Sequence, residues 1–289
     1  MINQLFVAIA TIAMISINNL SADEYPIIYM ISTPRSMSTA FLRMMDNRGD
    51  FTIFHEPSQY AYDKIHYPEL TKTWFLDSAP GDFEEIKQRI FEAAKSSPVF
   101  VKEVSFAVHD FLIADQEFLS NRQIHFVFLV RDPHNSIVSF YRKTQAVFEE
   151  MDDLIGMKKL QHLYQTINQK SPNKPMLISS EQLADSPNEI VRDFCEYYEL
   201  EFSEAHLRWE PYDTSFDGVE KWKEIKKFDL FKHWHGSAAQ SDGFHQLSTY
   251  ETDEYGMPTF SEIPLEHREI IWQIYQENLF WYKLLMQKQ

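Results

Sequence analysis

Apolar positions along the chain follow two alternating rhythms. Short continuous apolar runs occur at residues 25–32 (YPIIYMIS), 51–54 (FTIF), 99–101 (VFV), 124–130 (IHFVFLV) and 176–179 (MLIS). Runs without polar alternation are the pattern of parallel strands buried on both faces. Between them, apolar residues recur every three or four positions, as in 36–45, where Met37, Ala40, Phe41, Met44 and Met45 share one face. The same spacing predicts helices over 83–95, from Pro133 to about Glu150, over 152–170 and 188–200, and over 265–286. Asp82 suits an N-cap, and Pro133 and the Ser186-Pro187 pair suit helix starts. Strands alternating with helices imply an α/β fold with a central parallel β-sheet and crossover helices. Residues 60–80 and 201–264 are aromatic and irregular, and read as lid or loop apart from a short helix near 218–228. There is no internal repeat and no Gly- or Ser-rich linker, so residues 23–289 read as one domain.

Charge narrows the partners. The 289 residues carry 27 basic and 43 acidic side chains, a formal net charge of -16. Such a surface repels polyanions at long range, which disfavours nucleic acid as a partner. A small anionic ligand would then depend on a few focused basic residues. The single cysteine, Cys195, excludes an internal disulfide and a cysteine-based metal site; its helical setting suits a small buried apolar residue. Residues 5–17 (LFVAIATIAMISI) form an uncharged apolar run, short for a bilayer span but of the length of a signal-peptide core, with Ala22 before Asp23 as a cleavage point. Residues 1–22 are therefore expected to direct export or entry to a secretory lumen. Against this, residues 1–4 contain no Lys or Arg; the alternative is a buried or amphipathic N-terminal helix on a cytoplasmic protein.

In open parallel sheets, ligands bind beyond the carboxyl ends of the strands. Two such ends here carry basic chemistry. STPRSMST follows the first strand: Arg35 sits in the turn, and Ser36, Ser38 and Thr39 open a helix whose free N–H groups and dipole favour an anion. The Gly-Lys-Ser/Thr ending of a triphosphate loop is absent. Alternatively, the hydroxyls cap the helix without any ligand. RDPHNSIVS follows the 124–130 strand: Arg131 ends the strand and Ser139 lies eight residues later on the next helix. A desolvated guanidinium needs an anionic partner, either a ligand or a carboxylate such as Asp132. Two such grips at adjacent strand ends suit a ligand with two separated phosphate-like groups, a nucleoside bisphosphate rather than a triphosphate.

These residues resemble a known family. STPRSMSTAFLRMM is similar to the 5′-phosphosulfate-binding loop of sulfotransferases that use 3′-phosphoadenosine 5′-phosphosulfate, in the bacterial and carbohydrate branch where Arg replaces Lys. FLVRDPHNSIVSFYRK resembles the 3′-phosphate segment, with the same Arg-to-Ser interval, and LISSEQLADSPNEIVRDFCEYYEL resembles the later strand-loop-helix. The resemblance runs from about residue 27 to residue 200. It implies a P-loop nucleotide-kinase-like three-layer fold. It implies that donor as co-substrate and a hydroxyl or amine of a small-molecule, sugar or lipid acceptor. Pro34, Arg35, Ser36, Met37, Ser38 and Thr39 would hold the 5′-phosphate and sulfuryl oxygens, and Arg131 and Ser139 the 3′-phosphate. Arg35 would also stabilise charge on the bridging oxygen. With no γ-phosphate, no metal is required. A base must come from another strand end; Glu56 in FHEPS matches the family's position best, ahead of Glu103 and His109. His55 and Lys102 are candidates for substrate contact. The cytosolic members' His two residues after the third-strand Lys is Val104 here. Residues 232–244 (KHWHGSAAQSDGF) suggest a closing loop, and two His alone make a poor metal site. Acceptor-binding loops are expected at 57–80, 104–118 and 205–260. Two other readings stay open: a nucleotide-dependent kinase on the same fold, and a nucleotide-binding module without catalysis.

Overall fold

The computed structural model describes residues 24–211, 228–247 and 250–287. The apolar run at 5–17 lies outside them, as does nearly all of the expected helix at 218–228. In chain order the elements are β1 (Ile27–Ser32), α1 (Ser38–Arg48), β2 (Thr52–His55), α2 (Ser58–His66), α3 (Pro68–Trp74), α4 (Phe83–Ala93), β3 (Val99–Val104), α5 (Ser105–Ala114), α6 (Gln116–Leu119) and β4 (Ile124–Val130). They continue with α7 (Pro133–Thr144), α8 (Met151–Ile155), α9 (Met157–Lys170), β5 (Met176–Ser179), α10 (Ser180–Asp185), α11 (Pro187–Tyr197), a 3-10 turn (Glu204–Leu207), α12 (Phe228–Ala239) and α13 (Leu265–Met286). Among the described residues no helix is long and apolar enough to cross a membrane.

The five strands form one parallel sheet in the order β2-β3-β1-β4-β5. Every residue of β1 and β3 is buried, as unbroken apolar runs require when both faces are covered. Successive side chains alternate between two cores. Tyr29, Ile31, Val101 and Phe126 face a core closed by α4, α5, α9 and the end of α13, while Ile28, Met30, Phe100 and Val127 face one closed by α1 and α11. A third cluster joins α7, α8 and α13. The expected three-layer P-loop-like arrangement is therefore present. β1 is central, with β3 on one side and β4 on the other, so the loops leaving β1 and β4 part at the switch point of the sheet.

The start signals act as expected. Asp82 accepts the Glu85 N–H at 2.9 Å, Asp132 accepts the His134 N–H at 2.8 Å, and Pro133 and Pro187 stand in first turns. Several expected boundaries differ. The helix from Pro133 stops at Thr144, where Gln145 turns left-handed (φ 53°). The helix expected over 152–170 is broken at Gly156 (φ 72°) into α8 and α9. Residues 60–80, expected as lid or loop, hold most of α2 and all of α3; Tyr67 ends one and Pro68 starts the other. The loop expected over 104–118 is α5 and α6; SFAVHDFLIA is apolar nearly all round, so it shows no helical stripe. The closing loop expected at 232–244 is instead helical through Ala239, as part of α12.

Candidate active site

The loop between β1 and α1 does without glycine at a cost in backbone strain. Arg35 (φ 64°) and Met37 (φ 66°) both lie in the left-handed region, on either side of Ser36. Each such residue costs about 1–2 kcal/mol outside glycine. Alternating right- and left-handed residues turn successive N–H groups toward one concave side, an anion-binding nest. The surroundings hold the loop in place. Arg131 Nη1 donates to the Arg35 carbonyl at 2.7 Å, Ser180 Oγ donates to the Ser36 carbonyl at 2.7 Å, and Ser36 Oγ donates to the Thr33 carbonyl at 2.6 Å. The Ser36 hydroxyl is thus engaged inside the loop. Met37 is the N-cap of α1 and offers no side-chain oxygen, so the first turn keeps its N–H groups for something else.

The two basic grips meet. Arg35 Nε donates to Ser139 Oγ at 3.0 Å, and its Nη1 donates to the Trp234 carbonyl of α12 at 2.6 Å. Arg35, Ser36, Met37, Ser38, Thr39, Pro34, Arg131 and Ser139 all line one cavity of about 550 Å3, as do Glu56 and Lys102. No described carboxylate forms an ion pair with Arg35 or Arg131. Burial lowers the pKa of Arg35, which Glu56 partly offsets. Burial pulls Arg131 down to about 10, opposed by Glu181 and reinforced by Arg35. Two desolvated guanidiniums side by side are costly unless an anion joins them.

The acidic side of the cavity comes from the ends of β2 and β3. In register, His55 stands beside Lys102, and the Glu56 N–H donates to the Lys102 carbonyl at 2.6 Å. Glu56 is itself left-handed (φ 50°) and buried. Its Oε1 takes a hydrogen bond from Lys102 Nζ. His235 Nε2 lies 3.9 Å from Glu56 Oε2, and His55 Nε2 lies 3.7 Å from Oε1. Thr39 Oγ1 is 3.2 Å from His235 Nδ1. The ligand atoms of His55, Glu56 and His235 all lie within 4.8 Å of one another, a spacing a metal ion could accept, but the Lys102 ammonium already holds a cation's position on Glu56. The trio therefore reads as two imidazoles packed around one carboxylate that Lys102 holds. His235 stood out in sequence only as part of residues 232–244, with no role of its own; α12 delivers it to Glu56.

Of the other base candidates, Glu103 is fully buried on the opposite face of β3 from Lys102. It accepts the Ser58 N–H at 2.9 Å and the Tyr29 hydroxyl at 3.4 Å. Burial raises its pKa to about 7. It supports the start of α2 rather than lining the cavity. His109 lies on α5 beside Asp110, and its ring nitrogen is 2.9 Å from that of His162 on α9. Arg43 had drawn no attention, though it is a charge within the apolar stretch Phe41–Met45. It gathers the Ala238, Ala239, Ser241 and Glu210 carbonyls and so clamps the end of α12 against α1. That clamp holds Trp234 and His235 over the loop.

A sulfotransferase domain model matches residues 27–250, which spans the β1–α1 loop, the Glu56–Lys102 pair, Arg131 and α12. The chain belongs to the sulfotransferase domain family. Among curated proteins, this sulfotransferase domain is 25% identical over 230 residues to branched-chain-amino-acid aminotransferase-like protein 2 of Arabidopsis thaliana, covering 78% of this chain and 37% of that protein. It is 24% identical over 249 residues to the same plant's protein 1, covering 82% and 41%. The chain thus spans about two fifths of the length of these relatives. Among solved structures, the sulfotransferase domain of the Synechococcus PCC 7002 olefin synthase aligns with a TM-score of 0.42 at 14% identity, covering 89% of this chain and 96% of that one. Mouse sulfotransferase SULT7A1 complexed with PAP aligns at 0.41 and 9%, covering 88% and 84%.

Proposed function

We propose that this sulfotransferase domain transfers a sulfuryl group from 3′-phosphoadenosine 5′-phosphosulfate to a hydroxyl or amine of a small-molecule, sugar or lipid acceptor. The observation that carries the reading is buried Arg131 beside half-buried Arg35, neither in an ion pair with a described carboxylate, set against a nest and a helix N-terminus. That arrangement selects a multiply charged anion. The donor set fits a bisphosphate nucleotide: main-chain N–H groups from Arg35 to Thr39 and the Arg35 guanidinium for one phosphate, Arg131 and Ser139 for the other. The donor supplies an activated sulfuryl group with a phosphate leaving group. Arg35 stabilises charge growing on the bridging oxygen. Lys102 orients Glu56 through its Oε1, and the Glu56 carboxylate accepts the acceptor's proton. Orientation and charge neutralisation account for most of such a rate, as in phosphoryl transfer.

Titration calorimetry with adenosine 3′,5′-bisphosphate tests this. Arg35→Ala and Arg131→Ala are each expected to lose about 1.5–3 kcal/mol of binding. Glu56→Gln is expected to keep the binding and lose turnover of labelled donor by about 100-fold or more. Wild-type affinity in both arginine variants would overturn the assignment.

A further inference from the structure

A proton taken up by Glu56 must leave before the next cycle. Glu56 is 4% exposed, so the side chains around it decide the route. Lys102 and His55 stand on the Oε1 side of its carboxylate, and His235 stands on the Oε2 side. Lys102 donates to Oε1, and an ammonium has donors but no acceptor. The His55 ring lies 3.7 Å from the same oxygen with its side chain wholly buried, so a proton there has no exit. His235 differs in both respects. Its Nε2 faces the other oxygen at 3.9 Å, its side chain is 13% exposed, and it lines the cavity. Two contacts fix its place. Arg43 holds the carbonyls of Ala238 and Ala239 at the end of α12, and His235 Nδ1 lies 3.2 Å from Thr39 Oγ1 in the first turn of α1. With the Thr39 hydroxyl accepting from Nδ1, the Nε2 lone pair is left toward Glu56. The gap from Nε2 to Oε2 exceeds a hydrogen bond by about 1 Å. Catalytic contacts of that length tighten when substrates fill a site. The direction of transfer follows from ordinary affinities, about 6.5 for an imidazole and about 4.3 for a glutamate carboxylate.

We propose that His235 is the proton outlet of the site: it takes the acceptor's proton from Glu56 and passes it to solvent. This rests on the sulfuryl-transfer reading above. In one turnover the acceptor oxygen forms a bond to sulfur as the bond from sulfur to the 5′-phosphate oxygen breaks. The hydroxyl proton moves to Glu56 and then to Nε2 of His235, which leaves Glu56 a carboxylate again and His235 an imidazolium. The imidazolium gives one proton to water as the sulfate ester and adenosine 3′,5′-bisphosphate depart, and the site is reset.

The charged and titratable groups around His235 are Glu56 and His55 at the end of β2, Lys102 on β3, Arg35 on the β1–α1 loop and His233 on α12 itself. Nitrogen NMR of the full chain with labelled histidine, saturated with adenosine 3′,5′-bisphosphate, reads the ring without turnover, and His235→Gln assigns its signals. Neutral His235 is expected to carry its proton on Nδ1. Glu56→Gln removes the facing carboxylate and is expected to lower the titration midpoint of His235 by about one pH unit. A ring protonated on Nε2, or a midpoint that Glu56→Gln leaves in place, would overturn the proposal. Turnover of labelled donor with water as acceptor gives the kinetic arm. His235→Ala is expected to lower kcat by about tenfold or more at unchanged KM, and added imidazole is expected to restore it. Weakened binding of the bisphosphate in His235→Ala, with no rescue by imidazole, would show that His235 supports the donor site instead. Failure of the wild-type chain to bind the bisphosphate would count against the donor assignment itself, a separate result.

Discussion

Glu103 shows how one residue's setting can be read as a pH dependence. Burial raises its carboxyl from 4.5 to about 7, with Glu56 adding to the rise and Ser58 and Lys102 opposing it. A carboxyl raised on folding binds its proton more tightly in the folded state. Stability from this group is therefore intact below about pH 4.5, falls as pH rises, and levels off above about 7, a total of about 3 kcal/mol. Glu103→Gln removes the titration and keeps an acceptor for the Ser58 N–H. Urea denaturation at about pH 5 and about pH 8 should show the variant gaining stability over wild type at the higher pH. A difference that stays constant with pH would show that Glu103 is not the titrating group. At this scale the sequence exposed much of the candidate cavity's lining. Arg35 and Arg131 were marked because charge at the end of an apolar strand is rare and must be used, and Glu56 because it matches the family's position after the second strand. Ser36 was marked by its hydroxyl, yet that hydroxyl is spent on the Thr33 carbonyl. His235 had no comparable signal, because its meaning depends on a fold that brings distant residues to the same cavity.

Elements were legible where the apolar period was clean and obscure where packing overrode it. The strands stood out because both faces of the sheet are covered. The helices α2 and α3 did not, because each is short and holds too few apolar residues to repeat a stripe. The break between α8 and α9 was missed for a different reason: Gly156 is one glycine inside a plausible stripe, and nothing local says that it must be left-handed. The structure supplies the reason. At φ 72° a Cβ on Gly156 would stand 2.6 Å from Ser105 Oγ, whose hydroxyl donates to the Gly156 carbonyl at 3.0 Å. Gly156→Ala is thus expected to cost about 1–3 kcal/mol, combining left-handed strain with the forced move of Ser105. Gly49 is the internal control. It is equally left-handed (φ 76°) but has open space around its Cβ position. Gly49→Ala should cost about 1 kcal/mol, the strain alone. Equal losses in the two variants by chemical denaturation would mean that the contact with Ser105 is relieved without penalty.

At the scale of the molecule, the order β2-β3-β1-β4-β5 explains why so few residues specify a site. The parallel strands deliver their carboxyl ends to one edge, so β1, β2, β3 and β4 place Arg35, Glu56, Lys102 and Arg131 around one cavity. The charge balance then sets a conflict between long and short range. The chain carries -16 overall, while the Arg35–Arg131 end of the cavity concentrates cations, of which Arg131 and Lys102 are buried. Long-range repulsion of an anionic nucleotide acts through solvent and is screened over about 10 Å at about 0.1 M salt, whereas contacts inside the cavity are screened far less. Salt should therefore ease the approach more than it weakens the grip. In stopped-flow binding of adenosine 3′,5′-bisphosphate, the association rate constant is expected to rise from about 20 mM to about 200 mM salt. A protein steered by a basic surface would show the opposite slope. A falling association rate here would mean that the field at the cavity mouth is set by Arg35 and Arg131 and not by the acidic surface around it.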